Sequence, residues 1–390
     1  MVKTSSRVFL PGIPFPSSEY ERRQQGVLEA AAIAGLDALM VTSRNHLQYL
    51  TGYNGSGVYY APFPLILMPG RSPIYVVREY DVETVRAESC IDEIVPYRYK
   101  GDFARVCADV FRRCGLQSKR VGFQLGSWDL APVDVSALQA ALPNLRVSDA
   151  TPVVTSVAAV KSELELDAMR DAMRITDLAV RTFQSSLEEG VTELEMDKIL
   201  AAAIQSMAAK EGNGIALAHT TILFGERTKL PHAVPTAHSV KKDEPAFLEV
   251  AGSKHGYEAW LVRCAVLGRH TETESLHALA EEVIDAVVAA AKPGATTGSL
   301  DAAGRKVLDR SGRQRVFHQR TGYQTGLSSG RSDLSLEPGG KETLKSGMTF
   351  HIPNILCSES GYLFGTGAHI LVTERGAELL SDTPNTLYRA

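Results

Sequence analysis

The sequence predicts an α+β protein, with an N-terminal α/β domain followed by a C-terminal domain built on antiparallel sheet. Three observations support this fold class. Short apolar runs alternate with helical stretches up to residue 155, two long helices with capping signatures follow, and long strand-like segments bounded by glycines dominate the rest. We therefore predict domains over residues 1–155 and 156–390.

The first domain is predicted from the spacing of its apolar runs. The predicted elements are helices over 20–34 and 103–113 and strands over 36–41, 65–68, 74–77 and 121–124. This alternation is typical of an α/β layer.

The second domain is predicted to begin with two capped helices. Ser162 and Glu165 form an S-x-x-E capping box, and Thr192 and Glu195 repeat it for a helix through 207. A third helix over 275–291 ends before Pro293. The predicted strands are 246–250, 257–267, 348–356 and 361–372.

Composition excludes several classes of function. The chain has 390 residues, 41 basic and 45 acidic side chains and a net charge of −4, without a basic block that would bind nucleic acid or an anionic membrane. No apolar run reaches the length of about 20 residues that a membrane span needs, and no signal peptide is expected. Five scattered cysteines without CxxC spacing are typical of a reduced, cytoplasmic protein.

Four segments carry a resemblance to a known family. They are Asn45-His-Leu-Gln-Tyr-Leu-Thr-Gly-Tyr53, Lys161-Ser-Glu-Leu-Glu165, Leu344-Lys-Ser-Gly-Met-Thr-Phe350 and Ile370-Leu-Val-Thr-Glu-Arg-Gly-Ala-Glu-Leu-Leu380. Together they resemble the pita-bread family, which includes creatinase, prolidase, aminopeptidase P, methionine aminopeptidase and ectoine hydrolase. The resemblance implies a creatinase/prolidase-type N-terminal domain and a pita-bread catalytic domain.

The same resemblance identifies the positions that hold metal in the peptidases of the family. Those members bind two metal ions through Asp, Asp, His, Glu and Glu. The corresponding residues here are Glu249, Trp260, Tyr323, Ile352 and Ala368. One carboxylate cannot offset two dications or fix their geometry. We therefore expect no metal and no other cofactor.

Local matches indicate that the chain resembles the metal-independent branch of the family, which includes creatinase and ectoine hydrolase. The stretches 229–232, 247–252 and 257–263 resemble ectoine hydrolases, which also carry Glu at the first ligand position. The proton-shuttling His of creatinase corresponds to His232, and its carboxylate-binding Arg to Arg331. The two Glu residues beside the creatinase His correspond to Val262 and Ile352, so creatine specificity is not implied.

His232 and Glu249 are the predicted catalytic pair. An imidazole can take and return a proton near neutral pH. A carboxylate inside an apolar strand needs a cation, a donor or a raised pKa, which are the conditions for a general base or a nucleophile. The alternatives are a histidine that only hydrogen-bonds its loop and a structural ion pair between Glu249 and Arg263.

Five further residues are predicted to contact substrate. His318, Tyr323 and His351 offer neutral hydrogen-bonding groups around the former metal positions, or else fill space. Trp260 is either an aromatic wall for a cationic ring or part of the core. Arg331 is either a fork for a carboxylate or a surface residue.

The resemblance also implies a homodimer, because the N-terminal domain of one subunit closes the partner's active site in the small-molecule hydrolases of the family. Tyr59 and Tyr60 either reach across such an interface or belong to a solvent-facing loop. Five further histidines show no metal spacing and are given no role; they are His219, His238, His255, His270 and His369.

These observations favour a cytoplasmic, metal-independent hydrolase of a non-peptide C–N bond. The expected substrate is a small zwitterion such as a cyclic amidine, a guanidino acid or an amide. Two alternatives stay open: a lyase or isomerase that uses the same acid–base pair, and a ligand-binding protein without catalytic activity.

Overall fold

The computed structural model describes residues 13–54, 61–317, 319–327 and 334–390. The chain divides after Ala158 into two compact units. Within the described ranges, no helix combines the length and the apolar character needed to cross a membrane.

The first unit contains a mixed sheet whose strands are separated by short helices. The helices are α1 (Ser17–Ile33), α2 (Arg44–Thr51), α3 (Val82–Glu88), α4 (Phe103–Arg113), α5 (Pro132–Ala141) and α6 (Thr151–Ala158). The strands are β1 (Ala38–Val41), β2 (Leu65–Leu67), β3 (Ile74–Arg78), β4 (Glu93–Tyr97), β5 (Arg120–Phe123) and β6 (Arg146–Asp149). Their order is β4-β3-β2-β1-β5-β6, and β2 is antiparallel to both of its neighbours.

The predicted alternation of strands and helices in this unit is confirmed, and α4 has the predicted bounds. The periodicity does not predict α2, because this helix has only eight residues and lies inside the motif 45–53. The helix ends at Gly52, whose φ of 84° lies in the left-handed region. A Cβ at this position would lie 2.8 Å from the Ile13 side chain, so glycine is required there.

The second unit contains the longer helices and the larger sheet. The helices are α7 (Glu163–Ser185), α8 (Glu193–Glu211), α9 (Thr271–Ala290) and α10 (Thr297–Ser311). The strands are β7 (Ile215–Phe224), β8 (Glu244–Lys254), β9 (Tyr257–Leu267), β10 (Gly322–Gln324), β11 (Ser335–Leu336), β12 (Thr349–Cys357), β13 (Leu363–Thr373), β14 (Gly376–Leu379) and β15 (Tyr388–Arg389). The main order is β11-β10-β12-β13-β9-β8-β7, and β7 to β13 pair antiparallel along it.

Both predicted capping boxes are present. The Ser162 hydroxyl accepts from the backbone N–H of Glu165, and the Glu165 carboxylate accepts from the backbone N–H of Ser162. Thr192 and Glu195 make the same reciprocal pair at the start of α8. These caps fix where α7 and α8 begin, and α7 then packs across β8 and β9.

The register of β7, β8 and β9 assigns their residues to two faces of the sheet. Thr221 pairs with Glu249, and Glu249 pairs with Val262, so these three share one face, here called the site face. Leu248 pairs with Arg263 on the opposite face, here called the helix face, against which α7 packs.

The same alternation continues through β12 and β13. Asn354 pairs with Thr366, and Thr366 pairs with Arg263, so Asn354 lies on the helix face, where its amide donates a hydrogen bond to the Ala280 carbonyl of α9 at 2.8 Å. Ile352 shares this face by its spacing of two, and its cross-strand partner is Ala368. Both are buried among apolar residues, with 0% and 2% of their surface exposed.

The sequence patterns do not predict the short strands β10, β11, β14 and β15, nor two longer elements of this unit, β7 and α10. The strand β7 carries the polar run Ala218-His-Thr-Thr221 in its centre and does not read as a continuous apolar strand. The helix α10 is capped by Thr296 with Ser299 at the position where the capping signature expects Glu or Gln. Tertiary packing rather than local pattern determines both elements.

Candidate active site

A cavity of about 310 Å³ lies on the site face of the larger sheet. Its lining includes both predicted catalytic residues, His232 and Glu249. The other described lining residues are Thr221, Leu223, Thr228, Pro231, Phe247, Val316, Gln319, Ile355, Cys357 and Leu363. The volume lies at the lower end of the range of about 300–1,000 Å³ found for small-molecule sites.

Glu249 is the buried acid of this cavity, with 9% of its surface exposed. Burial raises the pKa of its carboxyl to about 7, because the charged form loses solvation in the apolar strand. No residue in the described part of the chain donates a hydrogen bond to it. A carboxyl group with these properties can exchange a proton close to neutral pH.

The alternative of an ion pair between Glu249 and Arg263 is wrong. Arg263 lies on the helix face, and its guanidinium donates to the carbonyl oxygens of Val262, Gly367 and Thr383. Glu249 therefore has no counter-ion in this arginine, although the two residues lie on neighbouring strands.

His232 is exposed and lies in a turn between β7 and β8. Its φ of 57° lies in the left-handed region, which costs a residue with a side chain on the order of 1 kcal/mol or more. His232 is the third residue of a β-turn in which Pro231 precedes it and the Ala233 N–H donates to the Leu230 carbonyl at 3.2 Å, and a turn of this kind requires a positive φ at that residue.

A buried carboxylate on α8 attaches the segment that carries this turn to the rest of the unit. Glu193 is fully buried and accepts from Arg227 Nε at 2.9 Å, from the backbone N–H of Thr236 at 2.8 Å and from the Thr236 hydroxyl at 2.9 Å. The Arg227 guanidinium also donates to the Val234 carbonyl at 2.8 Å. These bonds fix the backbone on both sides of His232.

A second set of contacts ties the same turn to the start of β13. Lys229 forms an ion pair with Glu226 at 2.7 Å, and its Nζ lies 4.3 Å from the centre of the Tyr362 ring. The Tyr362 hydroxyl donates a short hydrogen bond to Glu226. The next residue, Leu363, lines the cavity. The segment that carries His232 is therefore attached to two separate elements.

Three predicted substrate-binding residues meet in one ring cluster. The Trp260 and His351 ring centres lie 6.1 Å apart, and Tyr323 and His351 lie 5.4 Å apart with a 3.1 Å hydrogen bond between the Tyr323 hydroxyl and His351 Nδ1. His219 joins the cluster 4.8 Å from Trp260. Among the described lining residues of the cavity, none comes from this cluster.

The cluster nevertheless adjoins the cavity through His219. Its Nε2 lies 3.1 Å from the hydroxyl of Thr221, which lines the cavity. Burial and, second, the positive potential of His232 lower the pKa of His219. Sequence analysis assigned His219 no role, because its contact with Thr221 depends on both residues lying on the same face of β7.

A buried histidine connects this cluster to the rest of the sheet. The backbone N–H of Trp260 donates to His369 Nδ1 at 3.0 Å, so the proton of the neutral ring is on Nε2, which lies 2.8 Å from the Thr325 hydroxyl. Burial lowers the pKa of His369 to about 3. Burial, followed by His369, lowers the pKa of His351 well below its usual range. Both rings are therefore neutral at pH 7.

Four predicted site residues lie outside the described residues. They are His318, Arg331, Tyr59 and Tyr60. Two cavity residues that the sequence analysis did not select are Gln319, whose amide donates to the Pro353 carbonyl at 3.0 Å, and Cys357.

With this geometry in place, comparison with known proteins identifies the family. Residues 167–374 match the sequence model of metallopeptidase family M24, and residues 23–160 match that of the creatinase/prolidase N-terminal domain. The chain belongs to the M24 family and has the pita-bread fold with a creatinase-type N-terminal domain.

Individual relatives have both peptidase and non-peptidase names. An uncharacterized hydrolase/peptidase y4tL of Sinorhizobium fredii is 28% identical, with 96% of this chain and 97% of that protein covered. The ectoine hydrolase of Halomonas elongata is 26% identical over 96% of this chain and 98% of its own. The solved structure of dipeptidase PepE from Mycobacterium ulcerans superposes with a TM-score of 0.82 at 22% identity, covering 96% and 100% of the two chains.

The family name implies a metal centre, and the residues present do not fit one. In the described ranges, no group of three or more His, Cys, Asp or Glu side chains is placed to hold a metal ion. Trp260 supplies no ligand atom, and Tyr323 bonds His351. Of the five positions taken from the resemblance, Glu249 alone carries a carboxylate, and one carboxylate does not hold two dications.

The structure also corrects two of the ligand positions taken from the resemblance. Ile352 and Ala368 lie on the helix face, away from Glu249. The corresponding cross-strand pair on the site face is Pro353 and Gly367. Neither residue has a side chain that can bind metal, so the correction leaves the conclusion about the donor set unchanged.

Proposed function

We propose that this member of the M24 family is a metal-independent hydrolase that cleaves a non-peptide C–N bond in a small zwitterionic substrate. The observation that carries the proposal is one cavity lined by a proton-exchanging acid, Glu249, and by His232, on a sheet whose metal positions have lost their ligands. Similarity to an ectoine hydrolase supports a cyclic amidine, a guanidino acid or an amide as the substrate class.

In this mechanism the water molecule is activated by the protein alone. Glu249 takes one proton as the water oxygen bonds to the amidine carbon, and His232 gives a proton to the leaving nitrogen. The C–N bond breaks with its electron pair on nitrogen, and the second water proton leaves as the C=O bond forms. An amidine thus becomes an amide and an amine, after which proton exchange restores both side chains.

The raised pKa of Glu249 supports its role as the general base. A carboxylate with a pKa of about 7 is more basic than one at the usual value of 4.5, and it still ionises near neutral pH. The contacts that Glu193 and Arg227 make around His232 support a functional reason for its position.

The experiment that tests this function measures hydrolysis with and without chelator. Purified protein dialysed against EDTA is assayed on ectoines, guanidino acids, betaine amides and Xaa-Pro dipeptides. We expect chelator-resistant release of an amine from one non-peptide class, and loss of that activity in Glu249→Gln and His232→Ala. Strict dependence on added Mn²⁺ or Zn²⁺, or activity on dipeptides alone, would overturn the proposal.

The proposal also includes a cytoplasmic homodimer with the active site near the subunit interface. It is tested by light scattering on the purified protein and by activity of mixed dimers. A monomer with full activity would contradict this part and leave the chemistry intact.

A further inference from the structure

The cavity has a polar row and an apolar row side by side on adjacent strands. Thr221 of β7 pairs with Glu249 of β8 and forms the polar row, and two residues along each strand Leu223 pairs with Phe247 and forms the apolar row. All four side chains line the cavity. Two residues of strand span about 7 Å, so the two rows are separated by about this distance.

Val316, Ile355 and Leu363 continue the apolar surface on the remaining walls, beside the polar side chains of Thr228, His232, Gln319 and Cys357. No lysine or arginine occurs among the described lining residues, and Glu249 is the acid among them. A substrate carboxylate therefore meets a cation in the described lining only in the protonated form of the exposed His232, whereas a substrate cation finds the buried carboxylate of Glu249.

We propose that the cavity takes the cationic end of its substrate, an amidinium or guanidinium group placed at the polar row, together with an apolar substituent that extends about 7 Å to the apolar row. This inference rests on the proposed function and names the substrate class for the same site. The carboxylate of a zwitterionic substrate then lies outside the apolar part of the cavity.

Two physical effects produce this selectivity. A buried carboxylate without a partner is stabilised by an incoming cation, since the pair replaces solvation that the strand has removed. Each methylene group buried against Leu223 and Phe247 contributes about a fourfold gain in affinity. A bare amidinium leaves the apolar row in contact with water, and a neutral amide leaves Glu249 without a counter-ion.

The test measures binding in a series of probes at pH 8 by calorimetry. The probes are acetamidinium, butyramidinium and benzamidinium, with benzamide as the neutral analogue of the last. We expect the dissociation constant to fall about 10-fold or more from acetamidinium to benzamidinium, and benzamide to bind at least 10-fold more weakly than benzamidinium.

Two variants separate the contributions. Phe247→Ala should remove most of the increase in affinity with substituent size. The variant should still bind benzamidinium more tightly than benzamide. Glu249→Gln should remove the preference for the cation and keep the gain with size. Because Phe247 is buried, Phe247→Leu is measured beside it, with an intermediate gain expected, and thermal unfolding confirms that each variant is folded.

The outcomes distinguish this inference from the proposed function. Equal affinities along the amidinium series, or equal affinities for benzamide and benzamidinium, overturn the inference even when small zwitterions are hydrolysed. The expected series together with chelator-resistant turnover supports both. The expected series in a protein that hydrolyses none of the panel supports the cation-binding cavity and overturns the hydrolase.

Discussion

The Glu193 carboxylate and the Arg227 guanidinium form an ion pair at 2.9 Å, in which Glu193 is fully buried and Arg227 is 22% exposed. The pair lies at the start of α8, and its hydrogen bonds to Thr236 and Val234 reach the turn that carries His232. The proposed acid–base chemistry therefore depends on a charge that does not itself line the cavity.

Glu193→Gln should weaken this attachment. We expect a loss of about 2–3 kcal/mol in the free energy of unfolding, because Arg227 loses its charged partner, and a fall in kcat of about 10-fold or more with a smaller change in KM. Hydrogen exchange should increase over residues 230–236. The matched control is Glu195→Gln one half-turn away, which is exposed and bonds only within its capping box. Equal effects of both substitutions on kcat would contradict the role of Glu193.

The activity should rise with pH around neutrality. Because burial raises the pKa of Glu249 to about 7, the ionised base is scarce at pH 6 and predominates at pH 8. Since the mechanism also needs a protonated His232, we expect the ionisation of Glu249 to set the acidic limb of the kcat/KM profile, with its midpoint near pH 7, measured at substrate concentrations well below KM. A profile that is flat between pH 6 and pH 8 would show that Glu249 is not the titrating base.

The same residue should make stability depend on pH. Its folded-state pKa of about 7 is above the usual 4.5, so the folded protein binds the proton more tightly than the unfolded chain does. The penalty for the buried charge is absent below pH 4.5, grows as pH rises, and is complete above pH 7. The difference between 4.5 and about 7 corresponds to roughly 3 kcal/mol at about 1.36 kcal/mol per unit.

Glu249→Gln should therefore gain stability relative to the wild type as the pH rises from 5 to 8, by up to about 3 kcal/mol in urea titrations. Glu244→Gln, at the partly exposed start of the same strand, provides the control and should show no comparable change. A constant difference between Glu249→Gln and wild type at both pH values would contradict burial of the charge.

His369→Phe should destabilise the sheet near the ring cluster. The substitution leaves the backbone N–H of Trp260 without its acceptor, whereas the Thr325 hydroxyl keeps its bond to the Thr349 hydroxyl. At about 1–3 kcal/mol for one unsatisfied buried group, we expect a loss of roughly 2 kcal/mol, measured by chemical denaturation. Thr325→Ser keeps the hydroxyl and should cost less. A neutral His369→Phe would argue against these bonds.

Isotope labelling separates hydrolysis from the lyase or isomerase alternative. In water enriched in ¹⁸O, hydrolysis transfers one labelled oxygen to the product carbonyl, whereas proton removal from carbon transfers none. We expect a mass increase of about 2 Da in the acyl product, measured by mass spectrometry within one turnover time. Product without the label would favour the lyase or isomerase.

Local patterns predicted the parts of the fold that depend on neighbouring residues. The capping boxes at Ser162 and Thr192 and the bounds of β9 follow from short-range preferences, and they are confirmed. The residue types at the first two metal positions, Glu249 and Trp260, also predicted that the set of metal ligands is incomplete.

The features that the sequence did not predict depend on pairing between distant strands. His369 bonds Trp260 across 109 positions, and His219 reaches the site by its register on β7. Whether Arg263 faces Glu249 is likewise determined by strand alternation and not by the nearness of the two strands. The resemblance placed two of the metal positions at Ile352 and Ala368, one residue away from Pro353 and Gly367. A displacement of one residue along a strand moves the side chain to the opposite face of the sheet.

The close approach of two strands at Gly367 has an evolutionary consequence. A Cβ atom there would lie 2.9 Å from the backbone nitrogen of Val262 and 3.2 Å from the carbonyl oxygen of Ile352, and neither backbone atom can rotate away. Acquiring a carboxylate at this position by point mutation would collide with the neighbouring strand before it could meet a cation. A carboxylate at position 367 therefore requires the backbone of β9 or β12 to move, so a point mutation alone does not supply one.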